Sequence, residues 1–262
     1  MLITKDFHDV PTKHQRSIRI FIISPKIPGY PQANEIYQVT GPVERFAGQI
    51  ASQGYVVACP SSFHEFEGPE AIPYDVEGKY KVTHCRLPKF VEISSSLQVE
   101  KEVSAYDEDA SLAVDLLTSC LTVTAELLAA FDPRVLSTVC FFATDIHSAT
   151  LGKGGDDSLK RVQAGELTAK GELVMIFGKQ DTHVPRAGRD LIRKTLEDAS
   201  VPVSFLEVQA QHAFIRDESS KGRWDAALTR SLFTFMVEVF ERTVGRDLGP
   251  KVEGEQGLEH VC

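Results

Sequence analysis

Leu173-Val174-Met175-Ile176-Phe177-Gly178-Lys179-Gln180-Asp181 is the stretch that decides the fold. An unbroken apolar run stopped by a glycine is the pattern of a strand buried on both faces, since no alternation leaves one face to water. Gly178 to Asp181 turn the chain, and Val184-Pro185 opens a helical pattern over 185–199, proline being favoured in a first turn. The spacing predicts Leu191, Ile192 and Leu196 on the core face of that helix, with Arg186, Arg189, Arg193 and Lys194 mostly elsewhere. A second strand is expected over 203–208, followed by a loop carrying Gln211-His212-Ala213-Phe214. The unit therefore runs strand, acid, helix, strand, histidine. In a parallel sheet Asp181 and His212 come off neighbouring strands at one edge, the edge where open α/β sheets hold their ligands. A carboxylate that orients an imidazole needs that adjacency. Taken singly, Asp181 reads as a loop cap and His212 as a surface imidazole. Their matched placement after successive strands is what makes them a pair.

Strands are also expected at 6–10, 17–24, 55–60 and 135–143, and helices at 42–52, 106–117 and 223–243. Val43, Phe46, Ala47 and Ile50 recur at helical spacing between two of those strands, an arrangement that makes the chain α/β. The loop at 61–77, with Phe63, His64 and Phe66, reads as a pocket rim. Residues 79–103 show no period and read as an insertion within a single domain of residues 1–245. Residues 144–170 read as a polar linker, because Gly152, Gly154 and Gly155 match no phosphate loop. Residues 246–262 lack an apolar face and are expected to be a disordered tail.

Composition narrows the function. The 262 residues carry a formal charge of −9 and no Lys/Arg-rich stripe, which argues against nucleic acid or an anionic membrane as partner. The apolar run at 18–23 is too short for a signal peptide or a membrane span. Five cysteines without a CxxC pair fit a reducing compartment, with Cys59 and Cys140 as buried thiols. A cytoplasmic protein is the expectation.

Asp181-then-His212 is also the chain order of the α/β-hydrolases. Within that fold the sequence resembles the dienelactone hydrolase family, in its fungal branch. The segments that carry the resemblance are Glu35-Ile36-Tyr37-Gln38-Val39-Thr40-Gly41, Ala105-Tyr106-Asp107-Glu108-Asp109-Ala110, Cys140-Phe141-Phe142-Ala143-Thr144-Asp145-Ile146-His147, Phe177 to Asp181, and His212-Ala213-Phe214-Ile215-Arg216. The resemblance implies a mostly parallel central sheet flanked by helices, and hydrolysis of ester or lactone bonds in small carboxylate-bearing molecules by Cys-His-Asp chemistry without cofactor or metal. It implies Asp181 as the orienting acid, His212 as general base, Glu35 beside the nucleophile, and an oxyanion hole from the backbone N–H groups of Ile36 and the residue after the nucleophile. Arg216 falls where the family holds a substrate carboxylate.

The family nucleophile falls on Cys120, which makes Leu121 the residue after it. The family places that cysteine in a G-x-C-x-G-G turn after a strand, where neighbouring side chains must be nearly absent. Here Thr118, Thr122 and Val123 stand where glycines belong, and β-branched residues suit such a turn poorly. With a helix expected to end near Leu117, no strand precedes Cys120, and Gln32-Ala33 stand where another central strand is expected. The sequence therefore predicts a sheet lacking one or two central strands, through misplaced exon boundaries or decay of an ancestral enzyme. Two readings stay open: a hydrolase using Cys120, Asp181 and His212, and an inactive relative that binds a small molecule or a partner. A third, a metal hydrolase using Asp145, His147, Asp181 and His183, has two D-x-H pairs but no recognised ligand spacing.

Overall fold

In the computed structural model the described residues are 3–13, 17–25, 32–33, 39–61, 63–64, 68–73, 77, 120–124, 128–144, 146–148, 158–167, 172–215 and 223–243. Eight strands form one sheet: β1 (Ile3–Pro11), β2 (Ser17–Pro25), β3 (Gln32–Ala33), β4 (Val57–Pro60), β5 (Cys120–Thr124), β6 (Val135–Phe141), β7 (Leu173–Gly178) and β8 (Val203–Val208), in the order β1-β2-β4-β3-β5-β6-β7-β8. The β1–β2 and β2–β4 pairs are antiparallel, and every pair from β4 through β8 is parallel. Among the described residues the α-helices are α1 (Gly41–Ala51), α2 (Ser158–Gln163), α3 (Arg186–Asp198) and α4 (Ala226–Thr243).

β7 shows why the sheet is covered on both sides. Val174 and Ile176 pack into a cluster with Ala47, Ile50 and Ala51 of α1 and Leu232, Met236, Val239 and Phe240 of α4. The alternate residues Leu173, Met175 and Phe177 pack into a second cluster with Val162 of α2 and Ile192 and Leu196 of α3. Alternation along one strand thus feeds two cores, and each fully buried Leu, Ile, Val or Phe contributes about 1.5–3 kcal/mol. Cys59 and Cys140 are buried as expected. Phe63 is buried too, so it is core rather than pocket rim.

Three expectations are corrected. The sheet centre is occupied, because Gln32–Ala33 and Cys120–Thr124 supply β3 and β5. Thr122, Val123 and Thr124, wrong for a tight turn, have the β-branched side chains that favour a strand. The polar linker contains α2, whose Ser158 and Val162 are buried, a short helix held by packing rather than by its own periodicity. On α3 the buried residues are Gly188, Arg189, Ile192, Thr195 and Leu196, while Leu191 is 46% exposed. Arg189 stands three residues before Ile192 and seven before Leu196, on the same stripe, so the helix phase carries an arginine into the core. Residues 79–103, the expected helix at 106–117 and the tail at 246–262 lie outside the described residues.

Candidate active site

The parallel strands β5 to β8 share one carboxyl edge, and Asp181 and His212 lie just past the ends of β7 and β8 there. The ladder continues beyond the strands: Lys179 N donates to Val208 O (2.8 Å) and Gln180 N to Ala210 O (2.9 Å), so the acid loop and the histidine loop are joined by backbone. That closeness needs Gly178, because a β-carbon there would sit 2.3 Å from Ala210 O and 2.8 Å from Gln211 O.

Asp181 Oδ2 lies 2.8 Å from His212 Nδ1, and Asp181 Oδ1 accepts the backbone N–H of His183 (2.8 Å) and, at longer range, of Val184 (3.4 Å). The Asp181 side chain has no exposed surface, and His212 keeps 17% of its own. Burial by itself would raise the Asp181 carboxyl, but the His212 hydrogen bond and charge, with the two backbone N–H groups, outweigh it and hold the acid below its ordinary value. An ionised carboxylate only accepts, so Nδ1 of His212 donates and Nε2 carries the lone pair of a base.

The ring is held from two further sides. Phe142 meets it edge-on with centroids 4.9 Å apart, and the His183 ring lies 4.5 Å away. Phe142 takes φ 42° and Ala213 φ 61°, left-handed conformations that are costly for residues with a β-carbon. Phe142 is fixed there by its N–H donating to Ile176 O at 2.7 Å. The backbone is strained on both sides of the imidazole, where functional sites concentrate such strain.

The structure brings Asp181 and His212 together and leaves Cys120 apart from them. Cys120 opens β5 opposite Val135, the first residue of β6, while Thr124 at the far end of β5 stands opposite Cys140. Thr124 is in turn level with Met175, three residues before the end of β7, so Cys120 lies at least four steps of ~3.3 Å, or roughly 13 Å, below the edge that holds the pair. A proton transfer requires approach to about 3 Å. Leu121 likewise lies inside β5, opposite Ser137, rather than in an oxyanion turn. Both residues thus lie within β5 as a matter of register: the strand that would precede the nucleophile is built from the residues expected to carry it. Glu35, Ile36 and Arg216 lie outside the described residues, as does Asp145 of the D-x-H pairs. His147, of the same pairs, packs its ring against Gly188 of α3. No group of three or more His, Cys, Asp or Glu side chains suited to a metal gathers among the described residues.

One buried charge next to the site was not expected. Arg189, with a side chain 5% exposed, donates from Nε to Glu207 Oε1 (2.6 Å) and from Nη1 to Val184 O (2.8 Å). The signal for it in the sequence is a charged residue on the apolar stripe of α3 together with a single acid inside the strand at 203–208.

The dienelactone hydrolase family model matches residues 24–244. The chain belongs to the dienelactone hydrolase family. A relative from Saccharomyces cerevisiae, described as "Putative carboxymethylenebutenolidase", is 48% identical over 286 aligned positions that cover all of both chains. That alignment is longer than this chain, so the yeast relative carries residues that this member of the family does not. The crystal structure of a "Putative Dienelactone Hydrolase" from Klebsiella pneumoniae superposes with TM-score 0.68 at 16% identity, covering 92% of this chain and 100% of that one. An esterase from Pyrococcus furiosus superposes with TM-score 0.56 at 11% identity, covering 93% of this chain and 94% of that one. At such identities the superpositions speak to the fold, the α/β-hydrolase fold of this family. No helix among the described residues is long and apolar enough to cross a membrane.

Proposed function

We propose that this member of the family hydrolyses ester or lactone bonds of small, carboxylate-bearing molecules, with His212 as general base and Asp181 as the acid that orients it. The observation that carries the reading is the 2.8 Å contact between a buried, ionised carboxylate and Nδ1 of a part-exposed imidazole at the sheet's carboxyl edge. The family, and the yeast relative described as a carboxymethylenebutenolidase, support the substrate class. By resemblance Glu35 and Ile36 would support the reacting group, and Arg216 would hold the substrate carboxylate.

The position of Cys120 supports water, rather than a thiolate, as the attacking group. Nε2 takes a proton from water as its oxygen bonds to the carbonyl carbon. The tetrahedral intermediate then breaks its C–O bond to the leaving oxygen, which takes the proton back from the imidazolium. The same position favours a second reading, an inactive relative that binds small carboxylates at this edge.

Assays of the purified chain on aryl esters and enol lactones, with and without a thiol alkylator, separate the two. Turnover that disappears in His212→Ala and survives alkylation supports hydrolysis by His212. A folded wild-type chain with no turnover, yet with small carboxylates protecting it against thermal unfolding, supports the binding reading.

A further inference from the structure

The charged cluster around Arg189 lies behind the site rather than in it. Glu207 of β8 receives two arginines, Arg189 Nε on Oε1 at 2.6 Å and Arg193 Nη2 on Oε2 at 2.8 Å. Arg193 also lies with its guanidinium 4.4 Å above the Phe205 ring, which fixes it along β8. Burial alone would raise the Glu207 carboxyl, but the two arginines outweigh it and hold Glu207 in its charged form. From this anchor Arg189 turns its Nη1 onto the carbonyl of Val184, whose own N–H points at Asp181 Oδ1.

The path is continuous from one side of the site to the other. It starts in β8, the strand that leads into the His212 loop, crosses to α3, and returns through Val184 to the carboxylate that meets His212. A guanidinium suits this task because its planar fork can bond a carboxylate and a carbonyl at once, whereas an ammonium has no fixed fork. A surface arginine would gain nothing from burial this deep without such partners.

We propose that Arg189, anchored on Glu207, is a positioning residue for the acid–base pair: by holding the Val184 carbonyl it fixes the turn whose N–H groups aim Asp181 at His212. This rests on the reading of Asp181 and His212 as that pair, and it concerns a residue on a different element.

The test uses the full chain with Arg189→Lys and Glu207→Gln, each followed by NMR titration of the His212 imidazole and by kcat and KM on an aryl ester. Asp181 and His183 face the His212 ring and are unchanged in both variants. In folded Arg189→Lys the Val184 carbonyl loses its donor and the turn loosens. The imidazolium then loses part of its partner, so the His212 midpoint moves to lower pH. The value of kcat falls by about 10–10²-fold with KM little changed, the effect of a small misplacement of catalytic groups. Glu207→Gln moves both readouts in the same direction by less, because a carboxamide oxygen still accepts from Arg189. An unmoved His212 midpoint in folded Arg189→Lys overturns the proposal, and so does failure of both variants to fold, which would make Arg189 a stability element only. Absence of turnover in the wild-type chain, with the His212 midpoint still shifted in folded Arg189→Lys, would sink the hydrolase reading and leave the positioning role standing.

Discussion

The carbonyl oxygen of Ala210 lies 2.3 Å from where a β-carbon on Gly178 would stand, closer than any real β-carbon contact. The residue that ends β7 must therefore be glycine for the loop leading to His212 to lie against the loop leading to Asp181. Because the intruding atom belongs to the backbone, no rotamer change relieves the clash. Gly178→Ala should push the histidine loop outward, stretch the Asp181–His212 contact, and destabilise the domain by about 1–3 kcal/mol, the usual cost of overpacking. Urea unfolding measures the second effect and loss of aryl-ester turnover the first. A variant with wild-type stability and turnover would show that the two loops are not locked together.

His212→Ala should abolish most hydrolysis while the domain stays folded. His212 lies beyond β8 on a loop, its side chain keeps some exposure, and its main contacts are the Asp181 carboxylate and the rings of Phe142 and His183. Loss of a general base costs about 10²–10⁴-fold in rate. Turnover numbers with circular dichroism on the same preparation check this. Unchanged turnover in a folded variant rules out the assignment.

Asp181 should make the protein sensitive to acid. Its native carboxyl is held below the ordinary value, so the unfolded chain binds the proton more readily. The stability this contributes is present above the unfolded carboxylate pKa of about 3.9 and is lost as pH falls through the lower native value. Glu207, lowered by its two arginines, acts in the same direction. Denaturation midpoints measured from pH 6 downward should therefore decline less steeply in Asp181→Asn than in the wild type. Parallel declines would mean that Asp181 has no part in the acid response.

How far the sequence reaches can be judged from three places. The unit from β7 to His212 is legible because a strand buried on both faces leaves a continuous apolar run, and because the turn residues after it are few. Arg189 is not legible by hydrophobicity, which sorts arginines outward. Only the phase of the helix, set by Ile192 and Leu196, reveals that it faces the core, and only Glu207 in an otherwise unsuited place reveals its partner. Cys120 to Thr124 show the opposite failure. Their β-branched side chains argue against an elbow, and that argument holds, but strand register depends on pairing with Gln32 and Val135, residues far from them or separated by a turn. Nothing local to the segment encodes which end of the sheet Cys120 reaches.

The position of β5 also makes a gain of function predictable. Thr124 ends the strand opposite Cys140, on the side of the sheet toward Asp181 and His212, so a thiol introduced after Thr124 stands nearer that pair than Cys120 does. Parallel neighbours need a crossover of about a dozen residues or more, and the span from Thr124 to Val135, whose described residues hold a 3-10 turn at Leu128–Phe131, is shorter than that. There is no room in it for both an elbow and the helix that would aim its positive end at a thiolate. Cys120 itself should react with iodoacetamide no faster than an ordinary exposed thiol at pH 7, and Cys120→Ala should leave any turnover as it is. Inserting Gly-X-Cys-X-Gly-Gly and a helical crossover between Thr124 and Leu127 should place a new thiol at the His212 edge. The engineered chain is expected to show thiol alkylation that is fast near neutrality, and esterase activity that disappears in step with it. Mass spectrometry after a pulse of aryl ester would show an acyl adduct on the inserted cysteine and none on Cys120. Fast alkylation of Cys120 in the natural chain, tracking loss of its activity, would instead place Cys120 at the His212 edge and overturn the register on which this prediction stands.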